Sequence, residues 1–368
     1  MPKRSASSHF LTRVFHVDVW LLVSVIILTL FGLLMIYNSS VVTAQRDFHD
    51  PYRYLRDQAT WLLLGYSAMF IVSLIEYHFW QRVALPFLLV TLGLLLAVFL
   101  PGIGLRVLGA SRWVHVGAIV IQPSELAKLS LIIYLSSWFS NKEKSRLTAF
   151  VLLIGLMMGL VLLEPDMGTS VVLGVLAVSL YFFSGSPLVH FALFIPPAIV
   201  SLFILIKIAP YRLGRLLTFF DQERDPLGSS YHIRQTLFAL GNGGFTGVGL
   251  GKSFQKYAYL PESTTDSIFA IIAEEFGFLG SSVIICLLFS VVYRGFMIAR
   301  RAPDTFGKLL ASGIASFLAV QMMINLSAQV ALLPFTGIPL PFISYGGSSL
   351  VITLVCVGIL LSISRKAA

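Results

Sequence analysis

Apolar residues in this chain come in successive blocks of roughly twenty, separated by short polar stretches. A block of that length crosses about 30 Å of hydrocarbon as a helix. Lipid offers no partner for a bare peptide group, so each block must close its hydrogen bonds within itself. Hydrophobic residues make up 57% of the 368 and charged residues 12%, where a soluble domain carries about 25% charged. Mean hydropathy is +0.87. The alternating ten-residue pattern of a membrane β-barrel is absent. The expected fold class is therefore all-α: a single polytopic membrane domain over 1–368 with about ten transmembrane helices.

The spans are placed near 18–39, 59–75, 83–100, 120–138, 148–163, 167–184, 188–207, 267–293, 307–330 and 345–364. Ten spans put both termini on one side. Segments on that side carry Lys3, Arg4, Arg13, Arg82, Lys142, Lys144, Arg146, Arg294, Arg300, Arg301, Lys308, Arg365 and Lys366. Short loops on the other side carry Arg46, Arg53, Arg56, Arg106 and Arg112. The imbalance places both termini in the cytoplasm by the positive-inside rule. The first apolar run is too long for a cleaved signal peptide and reads as a retained helix. Segment 208–266 becomes a large extracytoplasmic loop, out of reach of ATP. The net charge of +9 is spread over these short loops, so orientation explains it better than nucleic acid does.

Several motifs can be narrowed by their spacing. "TGVGLGKS" looks like a phosphate-binding loop, but that pattern needs glycine five residues before Gly251, and the residue there is Thr246. A glycine-rich turn is the reading kept. Cys286 and Cys356 lie in apolar segments and build no disulfide framework. The seven histidines show no HxxH or HExxH spacing, which argues against a histidine metal site.

"YLPESTTDSIFAII" (259–272) places Asp266 where polar chain becomes an apolar helix. An ionisable group there is either functional or a helix N-terminal charge that favours the dipole. Glu274 and Glu275 lie about 12 Å further along a helix, too far to form a two-carboxylate glycosidase site with Asp266. They are expected to make buried contacts with basic side chains or to line a hydrated cavity. Arg212, Arg215, Arg224, Arg234, Lys252 and Lys256 suit either a lipid phosphate or a solvated amphipathic segment on anionic lipid. "QPSELAK" sets Glu125 and Lys128 three apart on one helix face, where they can neutralise each other. "LLEPDMGTS" interrupts an apolar run at Glu164, Pro165, Asp166 and Gly168. "PLPFISYGGSS" (339–349), which contains Ser344, has the Pro and Gly density of a re-entrant segment.

Four long blocks, in order along nearly the whole chain, resemble the SEDS family (shape, elongation, division and sporulation). They are "GASRWVHVGAIVIQPSELAKLS" (109–130), "EPDMGTS" (164–170), "DPLGSSYHIRQTLFALGNGGFTGVGLGKSFQKYAYLPESTTDSIFAIIAEEFG" (225–277) and "GIPLPFISYGGSSL" (337–350). "GLGKSFQKYAYLPE" is closer to the FtsW branch than to the RodA branch. The resemblance implies a ten-helix glycosyltransferase of the bacterial cytoplasmic membrane. Such an enzyme polymerises lipid II into glycan strands on the outer face, during division or elongation. It implies as partners a class B penicillin-binding protein, which is a transpeptidase, and other divisome or elongasome proteins, with lipid II and undecaprenyl-linked glycan as ligands and no nucleic acid.

The family's essential aspartate maps onto Asp266, with the motif's Glu at Glu262 and its Thr at Thr265. The chain departs from the family at Thr264, where His is frequent, at Ser267, where Phe is usual, and at Glu164, where Gln usually precedes Pro-Asp. Glycosyl transfer from a lipid pyrophosphate needs one base and cationic stabilisation of the leaving group. Arg212, Arg215, Lys252 and Arg112 are the candidate cations, with magnesium or manganese as the one cofactor this chemistry could use. Glu125, Lys128, Asp166, Glu274, Glu275 and Ser344 are expected to be structural or cavity-lining. The alternative is a flippase for lipid-linked precursor, which intramembrane charges and broken helices would serve equally well. A scaffold that recruits a synthase without catalysis is the third reading.

Overall fold

The computed structural model describes residues 17–107, 110–117, 119–141, 147–208, 210–221, 230–257 and 260–366. These residues form twelve helices and one small sheet. The first three helices are α1 (Val19–Phe48), α2 (Arg53–Leu74) and α3 (His78–Ala97). Strands β1 (Gly104–Val107), β2 (Ala110–Val116) and β3 (Ile119–Ile121) follow, paired antiparallel in that order. Then come α4 (Pro123–Ser140), α5 (Leu147–Leu163), α6 (Met167–Phe183) and α7 (Leu188–Ile208). The last five are α8 (Pro210–Phe220), α9 (Tyr231–Gly243), α10 (Ile268–Arg301), α11 (Thr305–Gln329) and α12 (Gly347–Ser364).

Each of the ten expected spans coincides with one of α1–α7 or α10–α12. Helices α1, α3, α10, α11 and α12 are long and apolar enough to cross a membrane, and α5, α6 and the first part of α7 are apolar but shorter. Leu63, Phe70, Leu89, Leu193 and Phe203 point outward and exposed. Buried polar side chains such as Gln58, Thr91, Lys128 and Gln321 face inward. That inversion of the soluble pattern defines a helical polytopic membrane protein.

Two differences from the sequence reading have clear causes. The fourth span begins later than residue 120, because 119–121 is β3 and Pro123 sits in the first turn of α4. Proline there fits, since its missing N–H would have no helical partner. Segment 208–266 is also more than a loop, since it holds α8 and α9.

One end of the bundle is tied by charges. Asp18 caps α1 by accepting from Leu21 N at 3.0 Å, and it pairs with Arg294 of α10 at 2.7 Å. Asp304 caps α11 by accepting from Gly307 N at 2.8 Å, and Tyr77 donates its hydroxyl to the same carboxylate. Lys366 pairs with Glu76. The opposite end gathers the sheet, the α5–α6 turn, the approach to α10 and the 330–346 segment.

Helix α10 is not continuous. Gly277 has φ 66° and ψ −165°, which breaks the helical ladder. The freed groups are met by chain from before α10. Val248 N donates to Glu274 O and Gly249 N to Glu275 O, both at 3.0 Å, while Phe278 N donates to Gly244 O at 3.0 Å. An inserted backbone segment thus satisfies peptide groups that apolar surroundings would leave bare.

Candidate active site

A cavity of about 370 Å³ lies at the end opposite the Asp18–Arg294 pair. Its wall is assembled from β2, the starts of α4, α6 and α12, the residue before Asp266, and the 336–339 stretch. Local sequence explains why these elements meet. Asp166 caps α6, accepting from Thr169 N at 3.0 Å and from the Thr169 hydroxyl at 2.8 Å. Gly168 lets that helix start press on the 336–339 stretch, because a Cβ there would lie 2.7 Å from Thr336 O.

Of the residues singled out from sequence, Arg112, Glu125, Lys128, Asp166 and Thr265 line this cavity. Lys128 Nζ donates to Glu125 Oε1 at 2.7 Å and lies 5.0 Å from the centre of the Phe317 ring. Lys128 and Glu125 are 2% and 3% exposed, so each charge depends on the other. Among the described residues Glu125 Oε2 has no hydrogen-bond partner, which leaves an acceptor beside the cavity. Arg112 donates from Nε to Glu164 O at 3.0 Å and from its terminal nitrogen to Pro165 O. A cation placed just past the C-terminal end of α5 is also favoured by that helix's dipole.

Asp266 lies two residues before α10, ahead of Ser267, and is 7% exposed. The turn that carries it is pinned from several sides. Thr265 N donates to Glu262 O at 3.1 Å, Ser267 N to Glu262 O at 3.2 Å, and Tyr345 N to Thr264 O at 2.9 Å. The Thr265 hydroxyl donates to Glu262 Oε2 at 2.7 Å, and the Glu262 side chain itself is exposed. His232 of α9 hydrogen-bonds the Ser267 hydroxyl and stacks on Phe335 at 4.0 Å.

The remaining residues lie elsewhere. Glu274 and Glu275 are buried but sit beneath the 251–256 stretch and not in the cavity wall. Ser253 donates its hydroxyl to Glu274, Asn38 donates to Glu275, and Lys256 Nζ lies 3.8 Å from Glu275 Oε1. Ser344 is buried and structural, its hydroxyl accepting from Leu340 N at 2.8 Å. Lys252 is exposed. Arg212 and Arg215 lie on α8, Arg234 lies on α9, and Arg224 lies outside the described residues.

Sequence reasoning passed over Asn325 and Gln329, which hold the main chain of Asp266. Their signal was present: Gln321, Asn325 and Gln329 recur every four residues and form one polar stripe on an apolar helix.

Glu164, in the turn between α5 and α6, is fully buried. Among the described residues neither of its carboxyl oxygens has a hydrogen-bond partner. Burial pushes the carboxyl up to about 8, the Asp166 charge adds to the rise, and Arg112 opposes it. An unfolded chain releases this proton near about 4.3. Between those values the folded state binds more protons, so stability falls as pH rises through that window. Glu164→Gln is expected to remove this decline. Its advantage in melting temperature over the parent should widen from pH 5 to pH 8, and an equal difference at both would refute the assignment.

A helical membrane protein with a buried ion pair in a cavity, and a carboxylate at a helix mouth beside it, is the class these features define. The family of cell cycle proteins FtsW, RodA and SpoVE matches residues 19–368, and the chain belongs to that family. It is 40% identical over 358 residues to the probable peptidoglycan glycosyltransferase FtsW of Trichlorobacter lovleyi, covering 96% of this chain and 94% of that one. It is 39% identical over 355 residues to stage V sporulation protein E of Bacillus subtilis, covering 95% and 97%. Among solved structures it resembles a chain of a peptidoglycan synthase complex that coordinates polymerization and crosslinking. The TM-score is 0.78 at 28% identity, with 95% of this chain and 98% of that chain covered. The rod shape determining protein RodA of Thermus thermophilus gives a TM-score of 0.70 at 28% identity, covering 95% and 97%.

Proposed function

We propose that this chain is a peptidoglycan glycosyltransferase that polymerises lipid II at the outer face of the bacterial cytoplasmic membrane, with Asp266 as general base. The observation that carries the reading is the position of Asp266: it lies two residues before α10, and its neighbour Thr265 is part of the cavity wall. In the reaction Asp266 takes the proton of the acceptor's 4-hydroxyl. The oxygen attacks the anomeric carbon of the donor strand, the bond to undecaprenyl pyrophosphate breaks, and the pyrophosphate leaves with the electron pair. No nucleotide is needed, because the leaving group is already on the donor. Arg112 and Lys128, both in the cavity wall, would stabilise the developing negative charge. Arg212, Arg215 and Lys252 would attract the lipid phosphates from segment 208–266, which the basic-residue imbalance puts outside a cytoplasm holding both termini.

Among the described residues no three His, Cys, Asp or Glu side chains converge on a metal position, and the Asp166 carboxylate is taken up by Thr169. A magnesium or manganese ion therefore enters the proposal only as a companion of the pyrophosphate oxygens. The partner is a class B penicillin-binding protein, in keeping with the synthase complex to which one similar chain belongs.

The buried Glu125–Lys128 pair also suits a carrier of lipid-linked precursor. Lipid II supplied only in the outer leaflet separates the two readings. Polymer formed from it by the chain and its partner synthase requires a glycosyltransferase, and no polymer under those conditions favours the carrier.

A further inference from the structure

We propose that Asn325 and Gln329, at the last turns of α11, are positioning residues for Asp266. The proposal rests on the reading of Asp266 as the base, and it concerns how that base is held.

Both amides are buried, at 2% and 0% exposed. A buried amide is costly unless its groups are paired; both NH2 groups are directed at one target, while Gln329 Oε1 has no hydrogen-bond partner among the described residues. Asn325 Nδ2 and Gln329 Nε2 each donate to Asp266 O at 2.9 Å. Asn325 Nδ2 also donates to Ile338 O at 2.9 Å, and Gln329 Nε2 to Asn325 Oδ1 at 2.8 Å. Two donors on one carbonyl use both of its lone pairs.

That carbonyl lies outside the helical ladder. In a regular helix Asp266 O would accept from Ala270 N, but Ala270 N donates to Ser267 O at 3.0 Å. The main-chain carbonyl of Asp266 is thus held by α11 and not by the helix it precedes. The same Asn325 amide grips Ile338, a residue of the cavity wall, so one side chain fixes the base relative to the space where substrate would sit. Gln321, one step back on the same stripe, donates to Pro339 O at 3.0 Å and to the Ser349 hydroxyl at 3.4 Å, both in the cavity wall, and not to Asp266 O.

The test uses the full chain with its partner synthase and measures initial rates of lipid II polymerisation against substrate concentration. Gln329→Met keeps length and burial while removing the donor. It is expected to lower kcat roughly 10- to 100-fold, the scale of a small misplacement of a catalytic group, with KM within about twofold. Gln321→Met, equally buried, is expected to lose far less. Asn325→Leu should exceed Gln329→Met; if it does not fold, the single Gln329 variant decides. A kcat at the parent value, or a loss that tracks the folded fraction and raises KM, overturns the proposal. Asp266→Asn in the same assay separates the two readings. If it stays active the base assignment falls. If it is inactive while Gln329→Met turns over normally, only the positioning role falls.

Discussion

Asp266→Asn, purified with its partner synthase, is expected to lose at least about 100-fold in glycan polymerisation, the lower end of what a positioned base contributes. Asparagine keeps the shape and the main-chain carbonyl that Asn325 and Gln329 hold. Folding and substrate affinity should therefore be preserved, and the loss should fall on kcat. This pattern distinguishes a base from a structural helix charge. A helix N-terminal carboxylate at a surface is worth about 0.3–1 kcal/mol and would change melting temperature, not turnover. A variant that still makes full-length glycan strands would end the base assignment and return weight to the carrier reading.

The second large effect is expected at the break in α10. Gly247 (φ 82°) and Gly277 (φ 66°) face each other with almost no space between them. A Cβ on Gly247 would lie 2.1 Å from Glu275 O, and one on Gly277 would lie 2.3 Å from Gly247 N. The obstructing atoms are backbone, which cannot swing aside. Left-handed backbone costs an ordinary residue about 1–2 kcal/mol, and overpacking adds about 1–3 kcal/mol. Gly247→Val or Gly277→Val should each destabilise by about 3 kcal/mol or more, read as lost folded yield and lowered melting temperature. Gly117→Ala is the control, with φ 65° and open space around its Cβ. It should show the backbone strain alone. Equal effects at all three positions would mean that the inserted segment does not hold the break.

The ten helices were legible because a run of twenty apolar residues has few other uses. The sheet was not. Its strands are three to seven residues long, with a register shift between Leu105 and Arg106, and they run straight into an apolar helix, so no period of two could emerge. The α10 break was hidden for a similar reason, since "AEEFGFLGSS" reads as helix until one asks where the two carboxylates go. At the site, Arg112, Glu125, Lys128, Asp166 and Thr265 converge although 153 positions separate the first from the last. Spacing alone could not have shown this. Glu274, Glu275 and Ser344, read from sequence as structural or cavity-lining, lie outside the cavity wall, as do Glu262 and Lys252. Partners distant in the chain set the directions of the two glutamates, Ser253 for Glu274 and Asn38 for Glu275, while Glu262 is held by its near neighbour Thr265.

The seating of residues 244–249 against α10 also bears on how the protein is made. Glu274 and Glu275 stand in a run that must enter the bilayer, where an acidic residue near a span's centre opposes insertion by roughly 2.5–3.5 kcal/mol. Their partners Ser253, Lys256 and Asn38 all lie earlier in the chain and leave the ribosome first. Helix α10 therefore need not enter as a finished rod. It can be received by a surface already laid down, and the order of translation then matches the order in which the charges are neutralised.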